Sequence, residues 1–179
     1  MLRIKEISSY EEFRAMKDAW SDLMSKSGAD NLYLTHDWID PYIRNCCNGY
    51  RLVILTVFDD SVLTGIAPLM IRKHSFMGIT VKSVCFIGTG ESDRMDFIIG
   101  APKEKRVLSI MDYLMDINKG WDFLDFQEIP EHSDTAKTIE KWSNLRKLKS
   151  ISIFRDKSFF INLNSDTDFL LKKVSKKLH

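Results

Sequence analysis

One stretch constrains this chain more than any other. From Arg51 to Ile99, apolar β-type runs follow one another with only turn chemistry between them. Arg51 to Phe58 is continuous and rich in β-branched residues, Asp59-Asp60-Ser61 is a turn cluster, and Val62 to Ile71 is a second apolar run. The pair reads as an antiparallel hairpin, because so short a polar connection cannot serve a parallel crossover. Neither run alternates, so both strands are expected to be covered on two faces by helices from elsewhere in the chain. Within the second run, Gly65 and Pro68 interrupt the pattern. Proline cannot donate to a ladder, so Pro68 marks an edge, a bulge or a place where two strands diverge. Val81 to Ile87 is a further strand, and the polar loop Gly88-Thr89-Gly90-Glu91-Ser92-Asp93 separates it from the short apolar run Met95 to Ile99.

The flanks supply the helices. Leu2 to Ile7 is a weak strand, and Ser9 with Glu12 three residues on forms a capping box that opens a helix. Phe13, Met16, Trp20 and Leu23 lie on one stripe of it, and Gly28 ends it. Thr35 is placed to cap a second helix. Pro41 is uncomfortable inside a continuous one, and Asp40-Pro41 is an alternative restart with Asp40 as cap. After Gly100 and Pro102, the residues Val107, Ile110, Met111, Leu114 and Ile117 make a third stripe, stopped by Gly120. Trp121 to Ile129 reads as a largely buried strand. Ser133 caps a helix whose stripe is Ala136, Ile139, Trp142 and Leu145, and Ile151 to Phe154 and Ser158 to Leu163 read as strands. The final segment, Asp166 to His179, reads as a helix with Leu170, Leu171, Val174 and Leu178 on one side and Lys172, Lys173, Lys176 and Lys177 mostly on the other. It has no stop signal, so the chain looks cut within or just after a helix.

Composition removes several classes of function. The 179 residues suit one globular domain spanning 1–179. Twenty-six Lys and Arg against twenty-five Asp and Glu leave a net charge of +1, which gives no basic field for nucleic acid. Cys46, Cys47 and Cys85 form neither a disulfide framework nor a zinc site, which implies a reducing compartment. No run approaches the length of a membrane span, and a cytoplasmic protein is expected. A P-loop, a dinucleotide fingerprint and a Ser-His-Asp nucleophile motif are all absent, so nucleotide-driven chemistry and nucleophilic hydrolysis are not supported.

The loop after Ile87 is the most site-like part of the chain. Glu91, Asp93 and Asp96 form a carboxylate group suited to proton abstraction from an amine or to a divalent cation; the alternative is that they are turn and cap residues bonded to local backbone. Trp38 offers a ring on which a sugar could stack and His36 beside it a proton acceptor, against the alternative that Thr35 caps, Asp37 favours the helix dipole and Trp38 fills core. Glu128, Glu131 and His132 lack a clean ligand spacing, and no metal site is assigned.

Several pieces, in order, resemble a known family: Trp20-x-x-Leu23, Tyr33-Leu34-Thr35-His36-Asp37-Trp38, Leu63-Thr64-Gly65-Ile66-Ala67-Pro68-Leu69, Phe86-Ile87-Gly88-Thr89-Gly90 leading to Asp93 and Asp96-Phe97, Trp121-Asp122-Phe123-Leu124, Ile129-Pro130-Glu131 and Ser175-Lys176-Lys177. They resemble the amino-terminal half of the cellulose-biosynthesis (CelD/BcsL-type) acetyltransferase-like proteins, in the GNAT superfamily of acyl-CoA N-acyltransferases. The resemblance implies an α/β fold with a mixed, largely antiparallel sheet flanked by helices, and a second GNAT half following in the same chain. It implies acetyl-CoA or another acyl-CoA as cofactor of the full-length protein, and a small-molecule or glycan-type amine as acceptor. A GNAT pyrophosphate loop carries Arg/Gln-x-x-Gly-x-Gly/Ala before a helix. Here Gly88 and Gly90 have the glycine spacing, but Cys85 stands where Arg or Gln belongs and a short strand follows, so the fragment alone is expected to bind no acyl-CoA tightly. Glu91, Asp93, Asp96, Thr89 and Trp38 are the expected substrate contacts, and the catalytic residues stay unassigned. The apolar side of the last helix is expected to meet the carboxy-terminal half, or another copy of the fragment when that half is missing. A non-catalytic domain that shapes one wall of the substrate groove is the competing reading.

Overall fold

The computed structural model describes residues 1–116, 120–155 and 157. Its centre is the expected hairpin. Strand β2 (Arg51–Asp59) pairs antiparallel with β3 (Val62–Phe76), from Asp59 opposite Val62 to Arg51 opposite Ile71, with one register irregularity at Val57/Phe58. Strand β1 (Leu2–Ile7) adds antiparallel to the outer side of β2. Strand β3 runs five residues past Ile71, because Arg72 to Phe76 pair with β4 (Ile79–Phe86) through a turn in which Met77 and Gly78 both take positive φ. Two successive positive φ values are the requirement of a tight hairpin turn. The polar arm of β3 is thus a strand end facing solvent, its backbone paired as the ladder demands.

Two short strands complete the sheet. Strand β5 (Ile98–Ile99) pairs antiparallel with β3 at Gly65 and Ile66, and β6 (Phe123–Asp125) pairs parallel with β4. The order is β1-β2-β3-β4-β6, with β5 on β3 beyond β4. The sheet is mixed and mostly antiparallel.

Helices α1 (Tyr10–Ala15) and α2 (Lys17–Ser27) bring Phe13, Trp20 and Leu23 into the core, with Ser9 Oγ accepting from the Glu12 N–H and Gly28 closing α2 at φ 70°. A 3-10 turn (Leu32–Leu34) leads into α3 (His36–Cys46), capped by Thr35 and burying Ile39 and Ile43. Helix α4 (Lys103–Asp116) buries Val107, Ile110, Met111 and Leu114 and lies against β1, β2 and α5 (Asp134–Leu145), while α2 lies against β3 and β5. Between them they cover both sheet faces, as burial of every residue from Leu52 to Val57 requires.

Several expectations are corrected. Helix α3 is continuous through Pro41. The carbonyl that loses its ladder donor belongs to Asp37, an exposed first-turn residue whose backbone water can serve, and Asp40 does not cap: it accepts from Tyr10 Oη at 2.8 Å and pairs with Arg44 at 2.9 Å. The Trp121 to Ile129 strand shrinks to Phe123–Asp125 and is only partly buried, with positive φ at Glu128 ending the extended run. On α5 the inward stripe is Thr135, Thr138, Trp142 and Ser143, and Leu145 points outward at 73% exposure. Trp142 Nε1 donates to Asp112 at 2.8 Å, so one polar anchor on α4 sets the rotation of α5. Ile151 to Phe154 is exposed and unpaired by any ladder. Ile117, the 158–163 strand and the terminal helix lie outside the described residues. Among those described, no helix is long and apolar enough to cross a membrane, and all three cysteines are free.

Candidate functional site

Strands β4 and β5 run in the same direction along the same side of β3, so they are two halves of one interrupted strand. Phe86 pairs with Leu69 and Ile98 with Ile66. Residues 87–97 leave the sheet between them, beside Pro68. In an antiparallel ladder a residue's N–H and C=O face the same neighbour. Ile87 N–H donates to the Pro68 carbonyl at 2.9 Å, so the donor that Pro68 lacks is missing on the β4 side, where the strand peels away.

The excursion begins with a closed turn. Thr89 N–H donates to the Phe86 carbonyl at 3.2 Å, and the N–H groups of Glu91 and Ser92 both donate to the Gly88 carbonyl at 3.0 Å. Gly88 has φ 104°, and a Cβ there would stand 2.6 Å from Ser92 Oγ; Gly90 has φ 99° and open space around it. The glycines serve the turn, three of whose N–H groups point inward, and a strand follows it as the sequence suggests. Thr89 is buried, its hydroxyl donating to Phe86 O at 2.8 Å.

The structure brings part of the predicted set together. Trp38 Nε1 donates to Ser92 Oγ at 2.9 Å, and its ring meets Tyr33 edge-on with centroids 5.0 Å apart. Tyr33 Oη lies 3.5 Å from Asp93 Oδ2, at the limit of a hydrogen bond, and Asn31 Nδ2 donates to the Arg94 carbonyl. Glu91 and Asp93 are exposed. Asp96 turns away: one oxygen accepts the Phe97 N–H at 2.7 Å and the other the Ser133 hydroxyl at 2.6 Å, at the cap of α5. The three acids form no metal-binding group, and none exists among the described residues. Glu128 pairs with Arg155 at 3.0 Å. His36 is a core histidine, stacked on Phe13 at 4.1 Å with Nε2 on the Phe13 carbonyl at 3.1 Å.

Sequence reasoning missed Tyr33, Ser92 and Arg106. Ser92 is joined to Trp38, and Tyr33 to Asp93, by folding across more than fifty residues, which no local spacing reveals. Arg106 is buried under the start of α4, with Nη1 donating to the carbonyls of Gly100 at 3.2 Å and Pro102 at 2.8 Å, while its Nε has no partner among the described residues. Its place in an apolar stripe hides it from a periodicity count.

The architecture is that of the GNAT N-acetyltransferases: a meander of antiparallel strands, then a helical crossover to a parallel strand. No family model and no curated protein sequence matches the chain. Solved structures do. An aminoglycoside acetyltransferase from an uncultured soil metagenomic sample matches with a TM-score of 0.53 at 10% identity, covering 89% of this chain and 99% of that one. Glucosamine-6-phosphate N-acetyltransferase from Arabidopsis thaliana gives 0.51 at 14% identity, covering 89% and 99%. AAC(6')-Iy, solved with a CoA-containing bisubstrate analogue, gives 0.50 at 13% identity, covering 88% and 99%. At such identities the likeness defines the fold.

Proposed function

We propose that this chain is the amino-terminal GNAT-like domain of an acyltransferase that carries an acyl group from acyl-CoA to an amine on a sugar or cell-envelope precursor, with a carboxy-terminal GNAT half as its partner. The observation that carries the reading is a fold shared along the chain with N-acetyltransferases, two of which act on amino sugars or aminoglycosides by name. The reaction requires an amine that has lost a proton and a thioester oxygen stabilised as it becomes negative. Trp38, Thr89, Glu91 and Asp93 border the proposed acceptor side. The CoA pyrophosphate needs backbone donors and a helix amino terminus. The turn at Gly88 spends the N–H groups of Thr89, Glu91 and Ser92 internally, whereas the start of α4 has exposed Lys103 and Lys105 and the buried Arg106 guanidinium beneath it. In this reading α4 takes the pyrophosphate.

A second reading, a non-catalytic domain forming one wall of the groove, is favoured by Asp96, the least exposed acid of the loop, whose two oxygens are already committed. Calorimetry with acetyl-CoA, followed by turnover with a panel of amino sugars, separates the two. Micromolar binding lost in Lys103→Glu/Lys105→Glu, together with acyl transfer, supports the enzyme. A folded protein that neither binds acetyl-CoA nor transfers the acyl group is the wall.

A further inference from the structure

On the sheet face that α3 approaches, Cys47 Sγ meets Met70 Sδ at 3.8 Å. The next residue of β3 on that face is Arg72. Register places it opposite Ser83 of β4, and places Cys85 opposite Met70 on one side and Asp125 of β6 on the other. Side chains two apart on a strand share a face, so Arg72, Ser83, Cys85 and Asp125 line one polar strip beside the loop that starts at Ile87.

Arg72 has few protein partners for where it sits. It is half-buried, yet no carboxylate lies within ion-pair distance of it among the described residues. Among the described residues its Nη1 reaches only the Thr89 carbonyl, at 3.4 Å, and its guanidinium lies over the Tyr50 ring at 5.5 Å. Arg51, one strand away and more exposed, has Glu6 at 2.9 Å. The hydroxyls of Tyr42 and Tyr50, which flank Arg72, have no hydrogen-bond partner among the described residues. Burial pushes the Tyr42 phenol up to about 12, with neighbouring Cys47 adding to the rise and Arg72 opposing it, so the hydroxyl stays a donor. A guanidinium carries five donors in a fork that matches a carboxylate or phosphate, and a single long bond to a carbonyl leaves most of that capacity unused. Asp125, across Cys85 on the same strip, offers the opposite charge to the other end of a ligand.

We propose that Arg72, with the phenols of Tyr42 and Tyr50, is an oxyanion-recognition site, and that the acceptor amine therefore also carries a carboxylate or a phosphate. The acceptor part of this statement rests on the acyl-transfer reading; the anion site does not. Charge-assisted hydrogen bonds from a fork-shaped donor are strong enough that an amine bearing the oxyanion binds about tenfold more tightly than its uncharged counterpart.

The test compares glucosamine 6-phosphate with glucosamine and β-alanine with propylamine by calorimetry, and follows the Arg72 Nε–H and the Tyr42 ring by NMR during titration with inorganic phosphate and with acetate. At least one pair is expected to show the tenfold preference, and the pair that shows it assigns phosphate or carboxylate. Arg72→Gln should abolish that preference and the NMR shifts, and Arg72→Lys should keep part of both, with thermal melts and circular dichroism confirming that each variant is folded. Absence of the preference in both pairs, or its survival in Arg72→Gln, overturns the proposal. Arg72-dependent binding without acyl transfer to any amine removes the acyl-transfer reading and leaves the anion site standing; acyl transfer together with phosphate and acetate titrations that leave the Arg72 and Tyr42 signals unmoved does the reverse.

Discussion

Replacing Gly88 and Gly90 separately by alanine tests how the excursion of residues 87–97 is held. Both glycines have φ near +100°, at 104° and 99°, where an alanine is strained whatever surrounds it. Backbone strain of this kind costs on the order of 1–3 kcal/mol per site. At Gly90 nothing stands within 4 Å of the added Cβ, so Gly90→Ala should cost only that strain. At Gly88 the new Cβ would meet Ser92 Oγ at 2.6 Å, and Ser92 must move. Ser92 Oγ accepts from Trp38 Nε1, so its movement also breaks the link between the loop and α3. Forcing a side chain off its rotamer costs about 0.5–1.5 kcal/mol, and losing a part-buried hydrogen bond about 1 kcal/mol. Gly88→Ala should therefore lose roughly 2 kcal/mol more than Gly90→Ala in urea denaturation with the m-value unchanged. Trp38 emission should shift toward the red in the native baseline of Gly88→Ala alone. Equal losses for the two variants, or an unchanged Trp38 signal in Gly88→Ala, would refute the closed-turn account.

Trp20 is fully buried, with Nε1 donating to the Leu34 carbonyl at 2.8 Å, so Trp20→Ala should cost about 3–5 kcal/mol in urea denaturation, and Trp20→Phe, which keeps most of the ring, clearly less. Ser133 caps α5 and donates to Asp96; Ser133→Ala should cost about 1 kcal/mol and lower the hydrogen-exchange protection of the first turn of α5. In native protein at pH 8 a thiol reagent should label Cys46 alone, and all three cysteines in denaturant, because Cys47 and Cys85 are buried and burial pushes both thiols up to about 11. The unfolded thiols ionise near 9.0, so the stability that these two groups contribute is complete below that pH and is lost as pH rises from 9.0 toward 11; urea midpoints measured across that range should fall, and fall less in Cys47→Ala.

Local chemistry in the sequence is a good guide where one residue decides one event. Ser9, Thr35 and Ser133 each accept the N–H that their capping role assigns, and the Asp59-Asp60-Ser61 cluster turns the hairpin that the two apolar runs require. The guide fails where a partner distant in sequence decides. Arg72 to Ser75 are polar enough to read as loop, and become strand because β4 supplies a ladder. The α5 stripe is displaced because Trp142 finds Asp112. Pro41 is tolerated because the carbonyl it strands is exposed. The candidate site divides in the same way. That the Gly88 to Asp93 segment is a loop follows from its composition. That Asp96 serves the cap of α5, Trp38 holds Ser92 and Arg72 meets no carboxylate among the described residues depends on where separate elements end in space.

Pro68 links these observations. The side of β3 that faces β4 presents Met70, Pro68, Ile66 and Thr64 in turn, and the chain uses each: Met70 opposite Cys85, Pro68 through Ile87, Ile66 opposite Ile98, and the Thr64 carbonyl through the Gly100 N–H at 3.1 Å. The ladder is therefore complete except for one donor that proline cannot supply, and the eleven residues 87–97 are inserted at that gap without costing the sheet another bond. The insertion is then tied to α3 through Trp38 and to α5 through Ser133. Because Arg72 bonds the Thr89 carbonyl from β3 at the start of the same segment, an anion held at Arg72 would compete for that weak contact. The cost to the fold is small, since a 3.4 Å bond is near the limit of hydrogen bonding, so the guanidinium can turn to a ligand while the ties through Trp38 and Ser133 keep the loop in place.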